Sequence, residues 1–224
     1  MKRTIALAVI SCAISCAATR ANADTTVTVD PGATWLGFMN VFELPSNGGG
    51  YVFSSGWGFA DLNASFSGPV LTLTPNTIGD PDPFWYQGGG GPGAPGNKTM
   101  EANGYVEVTG PLSGQLVTFA GRVLSNTLVD PYTSIAFIRD FAPDYSSFNT
   151  VTVPLTPGAF SISLNTLADP TRHVQYGFQT IGPNVWATDV GAKGSVQITA
   201  IPEPAAICLF ALGVTAIVGL RRRR

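Results

Sequence analysis

Few side chains in this sequence have the types and spacing that catalysis needs. Glu101 and Glu107 are the closest pair of glutamates, and hydrolysis of a glycosidic bond uses two carboxyl groups roughly 5–10 Å apart. The Asn103-Gly104 pair between them is expected to break a strand, so the two glutamates are a weak candidate. His173 is the single histidine, which excludes a zinc site built from several histidines, and no nucleophile motif accompanies it. The sequence therefore favours a non-catalytic protein.

Aromatic residues in loops suggest a different chemistry, the stacking of flat rings on sugars. Phe84, Trp85 and Tyr86 are consecutive in the longest loop, residues 78–98, between prolines and glycines. Exposed rings of this kind can stack on a glycan while polar side chains elsewhere bind its hydroxyl groups, although we favour the second interpretation below. The alternative is that the rings fold back as a flap over the core, as large aromatic residues usually do. The predicted glycan contacts are Trp85, Tyr86, Tyr132, Arg139, His173, Gln175 and Gln179.

Asp80 and Asp82 alternate with prolines at the start of the same loop. Calcium prefers carboxylate and carbonyl oxygens, and loop aspartates of an exported domain can supply them. Asp80 and Asp82 are therefore candidate ligands of a structural calcium ion, and no other cofactor is predicted. The alternative is that each Asp-Pro pair only starts a turn.

Short segments rich in Val, Thr, Phe and Tyr fill the middle of the chain, separated by Gly, Pro, Asn and Asp. Val174, Tyr176 and Phe178 share one face of a strand, and His173, Gln175 and Gln179 share the other. No segment shows sustained helical periodicity. We predict an all-β fold, a single antiparallel β-sandwich with jelly-roll topology. The predicted strands cover residues 25–29, 35–44, 62–66, 70–74, 105–109, 116–124, 135–139, 150–153, 160–164, 174–180 and 195–200; Trp35, Trp57 and Trp186 are predicted core residues.

The N-terminus has the pattern of a secretion signal. Basic residues precede an apolar run at residues 5–18, and Ala21 and Ala23 form a small-x-small cleavage site. We predict that residues 1–23 are a cleaved signal peptide and that residues 24–200 are the exported domain. All three cysteines lie in the terminal apolar segments, so that domain contains no disulfide.

The C-terminus combines an apolar run with a basic end. Residues 205–220 are 16 uncharged residues, which as an α-helix would span about 24 Å, a little less than a bilayer core of about 30 Å. The positive-inside rule places the basic end in the cytoplasm. We predict a short transmembrane sorting helix within residues 201–224. The basic end consists of Arg221, Arg222, Arg223 and Arg224.

The order of features at this end resembles the PEP-CTERM sorting signal of Gram-negative bacteria. Pro202, Glu203 and Pro204 stand as the motif, followed by the apolar run and the arginines. The resemblance implies export through the Sec pathway, transient anchoring in the inner membrane, and cleavage near the motif by an exosortase, a membrane cysteine protease. It also implies delivery to the cell surface or extracellular matrix.

A second resemblance concerns the exported domain. The segments NKTMEANGYVEVTGPLSGQLVTFAGRVLSN (97–126) and HVQYGFQTIGP (173–183) are similar to strands of carbohydrate-binding modules with galactose-binding-like jelly rolls. This resemblance implies the fold, and no sugar-contacting residue is transferred from it.

The charge of the exported domain limits its partners. Residues 24–200 contain five Lys and Arg against thirteen Asp and Glu, a formal charge of about −8, which argues against nucleic acid and anionic lipid. Two functional classes remain: a non-catalytic surface or matrix protein that binds exopolysaccharide, and a structural surface or appendage subunit that contacts other proteins. A glycan-active enzyme is a distant third. A polar and aromatic groove would favour the first class, and an apolar patch or pairing edge strand the second.

Overall fold

The computed structural model of the protein describes residues 24–201. They form a β-sandwich of twelve strands in two sheets of six. Within residues 24–201 there is no α-helix, and no helix there is long and apolar enough to cross a membrane. The predicted all-β sandwich is confirmed, whereas the predicted signal peptide and sorting helix lie outside the described residues. Three short 3₁₀ turns occur at Pro45–Asn47, Ala60–Leu62 and Val190–Lys193.

The first sheet is organised around its longest strand, β7. One side of β7 pairs with β10, and the other side pairs with β1 and then β12. The β1–β7 pair is parallel, which differs from the predicted antiparallel arrangement. Parallel neighbours need a long connection, and five strands separate these two along the chain. The strands of this sheet are β1 (Asp24–Thr28), β4 (Ala64–Ser67), β5 (Val70–Leu73), β7 (Leu116–Asn126), β10 (Gly158–Asn165) and β12 (Val196–Thr199).

The second sheet is fully antiparallel. From β5 to β12 the chain passes between the two sheets at every step except β8 to β9, the wrapping of a jelly-roll-like sandwich. In spatial order the strands are β3 (Tyr51–Trp57), β2 (Leu36–Glu43), β6 (Lys98–Thr109), β11 (His173–Pro183), β8 (Thr133–Phe141) and β9 (Phe148–Pro154).

The core lies between the two sheets. Val174, Tyr176 and Phe178 of β11 are buried in it, as the sequence alternation predicts. The three predicted core tryptophans, Trp35, Trp57 and Trp186, are partly buried and pack against this core. Because the apolar residues of β11 point inward, its polar residues lie on the outer face of the second sheet.

Two strands differ from the sequence prediction. The segment YVFSSGW forms β3, although its Ser-Ser-Gly centre lacks the usual β-forming residues. Strand β6 begins at Lys98 and continues through Asn103 and Gly104, where a break was expected. A Cβ at Gly104 would lie 2.6 Å from the ring of Phe59. This glycine therefore marks close packing within the strand and not its end.

Candidate functional site

A groove crosses the outer face of the second sheet from β2, over β6 and β11, to β8 and β9. Its volume of about 560 Å³ is within the range of about 300–1,000 Å³ usual for small-molecule sites. The side chains around it are both polar and aromatic. The polar lining is Asn40, Glu101, Asn103, Glu107, Arg139 and Gln175, and the aromatic lining is Phe38, Tyr105, Phe141, Tyr145 and Phe148.

Strand register brings the polar residues together. Glu101, Asn103 and Glu107 are separated by even numbers of residues on β6, so their side chains share the outer face. Gln175 of β11 lies opposite Glu107 on one side and opposite Arg139 of β8 on the other. The groove therefore depends on the pairing of three strands that are distant in sequence.

Gly177 leaves the middle of the groove floor without a side chain. It lies between Tyr105 of β6 and Phe137 of β8 in the register of the sheet. A Cβ at this position would lie 2.2 Å from the carbonyl oxygen of Gly104. Because the neighbouring strand is this close, only glycine fits at this position.

Arg139 occupies the floor of the groove. Its guanidinium lies 3.9 Å from the ring centroid of Phe137, and Nη1 donates a hydrogen bond to Asn103 Oδ1 at 2.9 Å. Asn103 is its single hydrogen-bond partner within residues 24–201, and Arg139 makes no ion pair there. Burial lowers the pKa of Arg139 and Glu101 opposes this shift, yet a guanidinium stays protonated in proteins. Most of its five N–H donors are thus available to a ligand.

The side chains beside Arg139 are fixed by their own hydrogen bonds. Asn103 Oδ1 also accepts a bond from Gln179 Nε2 at 2.8 Å. Glu101 Oε1 accepts one from Asn40 Nδ2 at 2.7 Å. These contacts hold the polar groups in place before any ligand arrives, so less side-chain entropy is lost on binding.

Tyr145, in the loop between β8 and β9, lines the groove near Glu107. The Tyr145 hydroxyl donates to Glu107 Oε1 at 3.0 Å, and Gln175 Nε2 donates to Glu107 Oε2 at 2.7 Å. The ring of His173 stacks on that of Tyr145 at 4.4 Å, with 10° between the planes. Desolvation, aided by the bond to Glu107, raises the pKa of Tyr145 to about 12, so its hydroxyl remains a donor at neutral pH.

Four of the seven predicted glycan contacts converge here. Arg139 and Gln175 line the groove, Gln179 supports Asn103, and His173 supports Tyr145. Their contact with a glycan stays a prediction. Sequence reasoning missed Asn103 as a site residue because the expected strand break at Asn103-Gly104 hid the alternation of β6. It missed Asn40 and Tyr105, which lie in predicted strands, because only the pairing of β2, β6 and β11 brings them to one groove.

Tyr86 does not belong to this groove. Its side chain is fully buried, and its hydroxyl lies 2.5 Å from the carbonyl oxygen of Ile78 and 3.0 Å from that of Val185. This burial does not match a glycan contact at Tyr86 and matches the flap. The ring folds back on the core because burial removes its large apolar area from water.

Trp85 and Tyr132 are also placed away from the groove lining. Trp85 is half-buried and packs edge-on against Phe53. Tyr132 is buried against Gly182, where a Cβ would lie 2.1 Å from its ring, and desolvation raises the pKa of Tyr132 to about 12. The seven predicted residues thus form no single site, and the aromatic loop takes the alternative arrangement, a flap on the core.

Asn184 holds this flap in place. Its Oδ1 accepts hydrogen bonds from the backbone N–H groups of Asn97 and Lys98, both at 3.1 Å. Its Nδ2 donates to the carbonyl oxygen of Trp85 at 2.8 Å. One buried amide thereby ties the loop to the end of β11.

Asp80 and Asp82 accept hydrogen bonds from backbone groups in their own turn. Asp80 Oδ1 accepts from the N–H of Asp82 at 3.0 Å, and Asp82 Oδ1 accepts from the N–H of Phe84 at 2.7 Å. Within residues 24–201 no group of three or more His, Cys, Asp or Glu side chains is arranged to hold a metal. These contacts match the turn-forming alternative, and calcium binding at the two aspartates stays a prediction.

Glu101 and Glu107 share the groove but do not form a hydrolytic pair. They are six residues apart on a strand whose pairing with β11 is uninterrupted. At about 3.3 Å per residue, their backbones lie roughly 20 Å apart. The two carboxyl groups of known glycosidases are only about 5–9.5 Å apart, so this pair lacks the required geometry.

Comparison with known families concerns the C-terminal end of the chain. Residues 200–224 match the family model described as the PEP-CTERM protein-sorting motif. The chain carries a PEP-CTERM motif. The predicted resemblance is thereby confirmed, and the PEP-CTERM motif indicates a secreted protein with a C-terminal membrane-anchoring signal that an exosortase processes. The predicted sorting residues (Pro202, Glu203, Pro204 and Arg221–Arg224) and cleavage residues (Ala21 and Ala23) lie outside the described residues.

Outside the C-terminal motif, the chain has little similarity to known proteins. No curated protein sequence matches it. A solved structure of TmCBM61 in complex with beta-1,4-galactotriose aligns with a TM-score of 0.33 and 10% sequence identity. The alignment covers 79% of this chain and 91% of that chain.

Proposed function

We propose that this is a non-catalytic cell-surface or extracellular-matrix protein of a Gram-negative bacterium whose domain binds exopolysaccharide in the groove. The PEP-CTERM motif supports the sorting route, with an exosortase as processing partner and the inner membrane as a transient anchor. One observation carries the binding proposal: Arg139 lies on the groove floor with most of its donors unused. A polar and aromatic groove favours this function over a purely structural subunit.

The groove matches the two kinds of surface that a sugar presents. Tyr145 and Phe148 line it with side chains about half exposed, at 48% and 50%, and their flat rings can stack on the apolar faces of sugar rings. Arg139 donates hydrogen bonds to hydroxyl oxygens, and the nearby carboxylates accept them. The groove crosses five strands, so it accommodates part of an extended chain.

Replacing Arg139 by methionine is expected to weaken glycan binding about 10–100-fold. Hydrogen bonds to charged groups contribute about 1.5–3 kcal/mol, and each 1.4 kcal/mol is a factor of ten. Isothermal titration calorimetry with an oligosaccharide selected on a glycan array measures the loss. The matched control is Arg122→Met, which removes an exposed arginine from β7 in the other sheet. A folded Arg139→Met variant with wild-type affinity would contradict the proposal.

Replacing Pro202, Glu203 and Pro204 by alanine tests the sorting route. The exosortase should fail to cleave this variant, so the protein should stay in the inner membrane with its tail attached. Cell fractionation and the mass of the exported protein measure both effects. If the alanine variant reaches the outside as efficiently as the wild type, the PEP-CTERM motif does not direct sorting here.

A further inference from the structure

We infer that the groove selects uncharged saccharides, and that Glu101 and Glu107 are specificity residues that exclude uronic and sulfated sugars. This inference rests on the proposed function and names its ligand class. It depends on how charge is distributed around Arg139 and on which polar atoms of the groove still lack a partner.

Negative charge outweighs positive charge in the groove. Arg139 is its one cation among the described residues, and Glu101 and Glu107 are two carboxylates. Glu107 lies across Gln175 from the backbone of Arg139. The Arg139 side chain extends the other way to Asn103, whose amide also donates to Glu101 Oε1, and Glu101 acts electrostatically on the guanidinium. An acidic sugar that reached Arg139 would add a third negative charge, in a domain whose formal charge is already about −8. Like charges placed together across an interface strongly suppress binding.

Hydrogen bonds fix the carboxylates of Glu101 and Glu107 in their positions. Glu101 Oε1 accepts a bond from Asn40, and the two oxygens of Glu107 accept bonds from Tyr145 and Gln175. Turning either group away from an anionic ligand would break these bonds, so the repulsion is not relieved by a simple rotamer change.

The unpartnered atoms also favour a neutral ligand. Within residues 24–201, Glu101 Oε2 accepts no hydrogen bond, whereas Arg139 has spare donors. The groove therefore offers a free acceptor and free donors on either side of the Asn103 amide, which contacts both Glu101 and Arg139. A hydroxyl group donates and accepts, but an ionised carboxylate or a sulfate group only accepts. Adjacent hydroxyl groups of a neutral sugar can donate a hydrogen bond to Glu101 and accept one from Arg139. A carboxylate or sulfate group in the same place can only accept from Arg139.

The test compares matched neutral and acidic ligands on the full chain purified in detergent. A glycan array of neutral hexose oligosaccharides and uronic acid oligosaccharides is probed first, and the best binders are titrated by calorimetry. Neutral ligands should bind at least about tenfold more tightly than acidic ligands of the same length and linkage. This preference should shrink as salt is raised, because screening weakens the repulsion.

Carboxylate-to-amide variants then assign the selectivity to the two glutamates. Glu101→Gln and Glu107→Gln should each narrow the preference for neutral ligands severalfold, whereas Asp61→Asn, an exposed carboxylate outside the groove, should leave it unchanged. Acidic ligands that bind wild type as well as neutral ones would overturn the inference and leave the proposed function standing. If no glycan of either kind binds, the proposed function itself fails.

Discussion

Replacing Arg172 by methionine is expected to lower the free energy of unfolding of the domain by about 3–5 kcal/mol. Asp140 is fully buried, and its Oδ1 accepts a hydrogen bond from Arg172 Nε at 2.8 Å. Arg172 Nη2 also donates to the carbonyl oxygen of Asp140 at 2.7 Å. Removing the guanidinium leaves a carboxylate in the interior without its counter-charge, which costs more than the pair itself contributes. Urea denaturation at 25 °C measures the difference.

Two further variants show whether the unpaired charge is the cause. Arg122→Met removes an exposed arginine that has no ion pair among the described residues, and its effect should stay within about 0.5 kcal/mol. In the double variant Asp140→Asn with Arg172→Met, the buried charge is gone, and the amide oxygen can still accept the bond from the N–H of Leu167. The double variant should be more stable than Arg172→Met alone. A loss below about 1 kcal/mol for Arg172→Met would mean that water solvates Asp140.

The fold could be predicted because its signal is local. Alternation in β7 and β11 separates inward from outward residues within the strand itself, and Gly and Pro mark the turns between strands. The missed strand β3 has little local signal, since its centre is Ser-Ser-Gly, and its position depends on pairing with β2. The parallel β1–β7 pair likewise depends on a contact between distant segments, which alternation cannot reveal.

The groove was only partly predictable for the same reason. The sequence predicts one polar face for His173, Gln175 and Gln179 because they alternate with apolar residues of their own strand. Their neighbours Glu101 and Asn103 become site residues only through the register between β6 and β11. Register follows from how the two strands pair, so a single sequence indicates which residues share a face but not which faces meet.

In the aromatic loop, composition alone does not separate a platform from a flap. Long loops in compact domains are usually functional or disordered, and the consecutive Trp85 and Tyr86 are compatible with a platform or a flap. Buried contacts from other segments decide its role: Tyr86 packs edge-on against Trp186 with ring centroids 5.3 Å apart, and Asn184 binds the loop backbone. These partners lie about a hundred residues further along the chain.

Replacing Tyr86 by alanine is accordingly expected to lower the free energy of unfolding by about 3–5 kcal/mol, as truncation of a buried large aromatic residue does. The side chain is completely buried, so the substitution leaves a cavity and also removes the hydroxyl that bonds to Ile78 and Val185. Tyr86→Phe keeps the ring and should cost only about 1–3 kcal/mol, the penalty for unpaired buried carbonyl groups.

Phe84→Ala is the matched control, because this ring is two residues away in the same loop and 40% exposed. Its loss of stability should be about 1–2 kcal/mol, clearly less than that of Tyr86→Ala, because part of the Phe84 ring is already in contact with water. Urea denaturation ranks the three variants, and calorimetry at a temperature where all are folded measures their glycan affinity. A flap predicts large differences in stability and an unchanged affinity, since the loop does not line the groove. If Tyr86→Ala abolished binding while keeping wild-type stability, the loop would be a platform after all, and the ligand would have to be sought there and not around Arg139.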